Sequence, residues 1–247
     1  VLECGPLGAV ARHFFTTRDL PPGSRGTDPA WLAAVAAHAG VAPDRLVRVR
    51  QVHGAGVLVV RRGEPVPDPG GPAPVADIIV SDDPDAALAV GVADCVPLLV
   101  ADRRLGVAGA GHAGWRGTAA GVAAALVREL TARFGSRPGD LVAAVGPSVG
   151  ACCYEVGDEV VAAYRAAGHD EARIGRWFSR NGELRHRLDL WRATRDQLEA
   201  AGIPPHQIHL AALCTASHPD WFFSYRVEGA ASGRMLGVIR AGVEAPR

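Results

Sequence analysis

DIIVSDDPDAALAVGVADCVPLLVADRRLGVAGAGHAGWRGTAAG, residues 77–121, decides the fold. It holds the short apolar runs IIVSDD, ALAVGVADC, VPLLVAD and LGVAGAGHAG, each stopped by Gly, Asp or Pro. Runs that are apolar almost without a break predict strands covered on both faces. The pattern then changes period. From Thr118 to Phe134, Val122, Leu126 and Leu130 recur at helical spacing while Arg128, Glu129 and Arg133 point away, which predicts a helix ended by Gly135. Upstream, LVRVRQV (46–52) and GVLVV (56–60) read as two strands of a hairpin with His53 and Gly54 at its bend. The Pro- and Gly-crowded segment 61–77 reads as an exposed loop and the one candidate hinge. Downstream, DLVAAVGP (140–147), IHLAALC and RMLGVIR read as strands, and 157–168 and 188–202 as helices. Strands outnumber helices without strict alternation. The expected fold class is therefore α+β, with layered mixed β-sheets and flanking helices, and no break in composition divides residues 1–247 into more than a single domain.

Composition narrows the chemistry. The 247 residues carry 26 basic and 26 acidic side chains, so the net charge is zero, and no like-charge block supplies the basic face that binding nucleic acid needs. Every basic residue is Arg. The absence of Lys removes Schiff-base, P-loop and lysine-base mechanisms together. The opening VLECGPLGAVARHFFTTRDL lacks a basic stretch followed by a continuous apolar one, and no later segment approaches a membrane span, so a cytoplasmic protein without a membrane partner is expected. Five Cys without CxxC pairing read as reduced thiols. A chain this long needs neither metal nor disulfide to fold.

Three candidate site residues stand where strands end in Gly-marked turns: His53 in QVHG, Cys95 in ADCVP and His112 in GHAGWRG. Two imidazoles and a thiol are a zinc ligand set with an open fourth position, the arrangement of catalytic sites. Spacing alone favours a structural Cys beside two hydrogen-bonded His. Arg116 lies in the same Gly-rich turn, beside the start of the predicted helix near Thr118, where a planar guanidinium and free N–H groups suit an anion. Asp77 and Asp94 are candidates to orient a ligand His. Cys152 and Cys153 are adjacent; in an extended segment they point to opposite faces and cannot share one metal. His38, His169, His186, His206 and His209 read as solvated.

QVHG, ADC-x-P-LL, GHAGWRG, GP-x-x-GACCYEVGDEV and FFSYR, in this order, resemble the family once called multicopper polyphenol oxidases or laccase-domain proteins, from about Val47 to the C-terminus. The resemblance implies a fold similar to the toxin-deamidase-like cysteine hydrolases. It also implies a metal held by His53, Cys95 and His112, these being catalytic, with zinc or copper as the ion. The implied activity is purine nucleoside phosphorylase, acting on adenosine, inosine and methylthioadenosine with phosphate as co-substrate, and adenosine deaminase as a side activity. Some bacterial members are instead peptidoglycan-editing factors, so an amidase acting on a muramyl precursor is the alternative. Arg116, Arg226 in FFSYR and Arg18 in FFTTRD become the substrate-binding arginines. The match lapses after Arg18, where LPPGSRGTDP (20–29) replaces the usual Gly-Gly-Val-Ser run. A monomer or weak homo-oligomer is expected. Laccase chemistry fails on arithmetic: a multicopper oxidase needs about ten His, largely in HxH pairs. This chain has nine and no HxH.

Overall fold

A computed structural model describes residues 1–19, 28–68, 70–180 and 185–242. Among these residues the strands are β1 (Arg12–Phe15), β2 (Leu46–Val47), β3 (Val57–Val60), β4 (Ile78–Ser81), β5 (Ala87–Val92), β6 (Val96–Asp102), β7 (Ala108–Ala113), β8 (Leu141–Val145), β9 (Glu155–Val156), β10 (Phe178–Arg180), β11 (His186–Leu188), β12 (Ile208–Leu210) and β13 (Met235–Arg240). The helices are α1 (Gly5–Gly8), α2 (Pro29–Ala39), α3 (Trp115–Ala119), α4 (Val122–Phe134), α5 (Asp158–Ala166), α6 (Glu171–Trp177), α7 (Leu190–Ala200) and α8 (Tyr225–Glu228).

A six-stranded mixed sheet in the order β12-β8-β6-β7-β4-β3 forms the centre, beside a four-stranded sheet, β1-β13-β5-β2, and a small one, β10-β11-β9. Alternation along each central strand explains the unbroken apolar runs. Ile78, Val80, Leu98, Val100, Ala143 and Val145 face α4, α5 and α7, burying Leu126, Leu130, Val160 and Leu198. Their neighbours Ile79, Leu99, Ala101, Val142 and Ala144 face the second sheet, against Leu88, Val90 and Ile239. The far side of that second sheet, Phe14, Ala87, Ala89 and Val238, is covered by Trp31 and Val35 of α2. The layers are therefore helix, sheet, sheet and helices, and the expected α+β class with layered sheets and flanking helices is the fold observed.

Two local expectations are corrected. The segments 46–52 and 56–60 are not a hairpin. β2 pairs parallel with β5 in one sheet and β3 parallel with β4 in the other. The bend at His53 is instead turned by Asp77, whose carboxylate accepts the N–H groups of Val52, His53 and Gly54 and so lays the chain beside β4. The helix expected from Thr118 begins at Trp115 and breaks at Gly121, whose φ of 78° is left-handed, so α3 and α4 are separate helices. The N–H of Thr118 donates to the Gly114 carbonyl and is not free for an anion.

Candidate active site

Strand register gathers the site at one end of the central sheet. Ile78 of β4 pairs with Gly111 of β7, which sets Asp77 opposite His112, and the His112 N–H donates to the Asp77 carbonyl at 2.8 Å. Val96 of β6 pairs with Ala113, which sets Cys95 beside Gly114. β3, parallel to β4, brings in His53 on the segment that precedes it. One atom each from His53, Cys95 and His112 then lies within 4.8 Å of the others. The rings of His53 and His112 meet edge to face at 4.8 Å. His53 is exposed, Cys95 half-buried and His112 buried, so the group runs from solvent into the protein.

Asp77, fully buried, organises both imidazoles. It receives His53 N at 2.9 Å and Gly54 N at 2.7 Å, and His112 Nδ1 donates to it at 2.9 Å. That bond, of the kind that ligating His residues commonly make, fixes the tautomer and leaves Nε2 as the His112 atom that a metal would take. His53 and Asp94 both hold positive φ, 61° and 83°, an uncommon conformation for residues other than Gly. Asp94 is held by Thr215 Oγ1 at 2.6 Å and by the Arg226 N–H at 2.6 Å, so it fixes the cavity wall and not a ligand His.

The charges are coupled. Burial by itself would push the Cys95 thiol up, but hydrogen bonds with His112 and His53 outweigh it and bring the thiol down to about 7. Burial likewise disfavours charged His112, yet its bonds to Asp77 and Cys95 raise it to about 9. Burial pushes the Asp77 carboxyl up, and His112 with the backbone N–H groups of Gly54 and Val52 reverses this and holds it low. These residues fit a metal ion: a buried carboxylate supports one imidazole, the donor set is N, N and S, and Gly114 leaves the room. A Cβ at Gly114 would stand 2.8 Å from Cys95 Sγ and 3.1 Å from His53 Cδ2.

The group opens into a cavity of about 890 Å³ that Arg116 and Arg226 both line. Arg116 stacks on Trp115 at 4.1 Å. Arg226 donates to the Glu155 carbonyl at 2.7 Å and lies over Tyr154 at 5.2 Å. Burial raises the Tyr154 phenol and keeps it protonated. Arg18, expected at the substrate, is placed elsewhere: it pairs with Glu228 at 2.7 Å, donates to the Phe222 carbonyl and stacks on Phe223. It is not among the cavity-lining residues and reaches the site only through α8. Most of LPPGSRGTDP lies outside the described residues; Asp28 within it caps α2. Gln51, Tyr225 and Arg234 line the cavity unforeseen. Gln51 and Tyr225 sit inside quoted motifs and were open to notice, whereas Arg234 carries no sequence signal. Of the His read as solvated, only His206 is exposed; His38, His169, His186 and His209 are half-buried, His38 against Phe14, His186 bonded to Asp158, and His169 bonded to the Ala119 carbonyl and packed on Trp177.

A family profile described as multi-copper polyphenol oxidoreductase laccase matches residues 30–242. A purine nucleoside phosphorylase of Bacteroides thetaiotaomicron is 41% identical over 66% of this chain, which spans only 60% of that relative. One of Deinococcus radiodurans is 38% identical over 92% of this chain and 88% of its own. A relative named adenosine deaminase, from an unknown prokaryotic organism, is 35% identical over 81% of this chain and 77% of its own. The crystal structure of the Bacillus licheniformis hypothetical protein YfiH superposes with a TM-score of 0.86 at 31% identity, covering 94% of this chain and 93% of that one. Among the described residues no helix is long and apolar enough to cross a membrane.

Proposed function

The chain belongs to the multi-copper polyphenol oxidoreductase laccase family, and from that premise we propose that it is a purine nucleoside phosphorylase acting on adenosine, inosine and methylthioadenosine, with adenosine deamination as a second activity. What carries the reading is the convergence of His53, Cys95 and His112 at a cavity whose wall carries Arg116 and Arg226. Zinc is the ion proposed for the three ligands, with copper able to occupy the same donors. Held by His53, Cys95 and His112, such an ion would supply Lewis acidity of the kind that lowers the pKa of water, the chemistry deamination requires.

The chain's own residues account for the rest. Arg116 and Arg226 are the only kind of fixed cation available in a protein without Lys, and they hold phosphate for in-line attack on C1′. As the phosphate oxygen bonds to C1′, the bond to N9 breaks with its electron pair leaving on the purine, which then takes up a proton. Trp115 and Tyr154 offer flat faces beside these cations. Incubating pure protein with inosine and phosphate is expected to yield hypoxanthine and ribose 1-phosphate, and a folded Cys95→Ala protein to lose the activity. No product from any purine nucleoside, metal-loaded or not, refutes the reading.

A second reading has an observation of its own. Asp77, His112 and Cys95 form a chain in which a depressed thiol meets an oriented imidazole, the arrangement of a cysteine hydrolase. A peptidoglycan-editing amidase would use it to cleave a muramyl amide. Phosphate-independent cleavage of a muramyl-serine amide selects this reading, and a phosphate requirement rejects it.

A further inference from the structure

A second cluster of ligating side chains lies beside the first. β12 and β8 run parallel, Leu210 opposite Val145, and leave the sheet together as far as the bridge between Ser148 and Cys214. The chain after β8 then folds into a tight turn in which the N–H groups of Cys153 and Tyr154 both donate to the Gly150 carbonyl, each at 3.0 Å. The segment is therefore not extended, and the expectation that Cys152 and Cys153 face opposite ways is corrected. Their sulfurs point to the same place, and Cys214 closes the group: all three Sγ atoms lie within 4.8 Å of one another.

We propose that Cys152, Cys153 and Cys214 form a second metal site, a three-thiolate pocket for a soft monovalent cation of the Cu(I) type. Geometry comes first. Three sulfurs each about 2.3 Å from a shared ion stand about 4 Å apart, so the group needs to close by less than about an ångström. The donor set is all sulfur, which selects thiophilic ions over hard ones. Three donors suit Cu(I), whereas zinc asks for a fourth. The nearest polar neighbour, Ser217 Oγ, is already shared by Cys152 at 3.6 Å and Cys153 at 3.2 Å, and it is a weak ligand. The Gly150 N–H donates to Cys214 Sγ at 3.3 Å, a contact that stabilises a thiolate. Access is graded as well: Cys152 is exposed, Cys153 half-buried and Cys214 only 4% exposed, so an ion can enter at one sulfur and be held at another.

Binding exchanges three S–H bonds for three metal–sulfur bonds and releases three protons to solvent, with no change of oxidation state. Its structural effect falls on the active-site wall. The ion would tie the turn that leads into Tyr154 to the segment whose Thr215 holds Asp94. The site is independent of the one formed by His53, Cys95 and His112, and its test separates them.

Wild-type protein, stripped of metal, reduced and kept free of oxygen, is titrated with Cu(I) against the chromophoric chelator bicinchoninate. Two equivalents are expected. Cys152→Ser/Cys153→Ser, altered at the open end of the pocket, is expected to bind one, and Cys95→Ala is expected to keep the one held by the thiol cluster. Alkylation followed by peptide mass spectrometry reports the same site, with Cys152 and Cys153 protected only when Cu(I) is present. Equal stoichiometry in wild type and Cys152→Ser/Cys153→Ser overturns the proposal. So does unchanged alkylation on adding Cu(I), a disulfide among the three that persists in reductant, or binding of Zn(II) in place of Cu(I) at the thiol cluster of Cys95→Ala.

Discussion

Replacing Asp77 by Asn tests whether a single buried carboxylate assembles the site. The native side chain accepts His53 N and His112 Nδ1 on Oδ1, at 2.9 Å each, and Gly54 N on Oδ2 at 2.7 Å. An amide can keep only one face. With its oxygen toward His53 and His112, its NH₂ confronts the Gly54 N–H; turned over, it confronts two donors. The better orientation leaves the half-buried Gly54 N–H without its acceptor and removes the charge that strengthens the other bonds, a cost of about 2–4 kcal/mol. For a chain of this size that corresponds to a fall in Tm of about 4–16 °C. Loss of the carboxylate behind a ligating imidazole should also weaken metal binding about 10- to 100-fold. The pH dependence shifts with a definite sign. His112, raised to about 9 in the metal-free protein, contributes stability that is complete below about pH 6.5 and lost as pH rises through about 9. Asp77, held low, contributes stability that is present above about pH 4 and lost as pH falls through its folded value. Asp77→Asn removes the acid limb and draws the alkaline one toward neutrality. Calorimetric melts across pH and competitive metal titration measure both effects. A variant that melts within about 2 °C of wild type and keeps its metal affinity would show that Asp77 does not organise the site.

Gly114→Ala should abolish metal retention while leaving the circular dichroism native, because the added Cβ falls 2.8 Å from Cys95 Sγ and the backbone φ of −73° tolerates Ala. Arg116→Ala should raise the KM for phosphate about 10- to 100-fold with little change in Tm, since an exposed guanidinium contributes a charged hydrogen bond to the ligand more than to the fold. Arg18→Ala should lower stability by about 1 kcal/mol, from a partly exposed ion pair, and leave phosphate KM unchanged in initial-rate assays. In metal-free protein, peptide-resolved alkylation of Cys95 should rise with pH through about 7, below the ordinary thiol range, and metal should suppress it.

How much of this was legible depends on whether a residue's role is set locally or by register. Apolar runs such as IIV and PLLV declare strands because Ile78 and Ile79 are buried on opposite faces, and that requirement is written in the residues themselves. The two His and one Cys were legible as ligand types, and their meeting follows once β4, β7 and β6 align. Pairing between segments far apart in sequence is where reading fails. LVRVRQV and GVLVV look like a hairpin because they are adjacent, yet their partners are β5 and β4, some 20 to 40 residues away. Asp77 could be suspected of orienting a His, but nothing local says that it also takes the backbone of His53. Arg18 matched a motif, but the motif could not show that Glu228, 210 residues on, would claim its guanidinium. The paired cysteines fail for the complementary reason. Alternation of side chains is a property of extended backbone, and the bonds of Cys153 and Tyr154 to the Gly150 carbonyl make that stretch a turn. One local geometry, misread, conceals a three-sulfur cluster that depends on Cys214 more than 60 residues away. The residues that carry long-range closure at this sheet end, Asp77 and Cys214, are therefore the positions where a sequence-based argument has least force and where substitution is most informative.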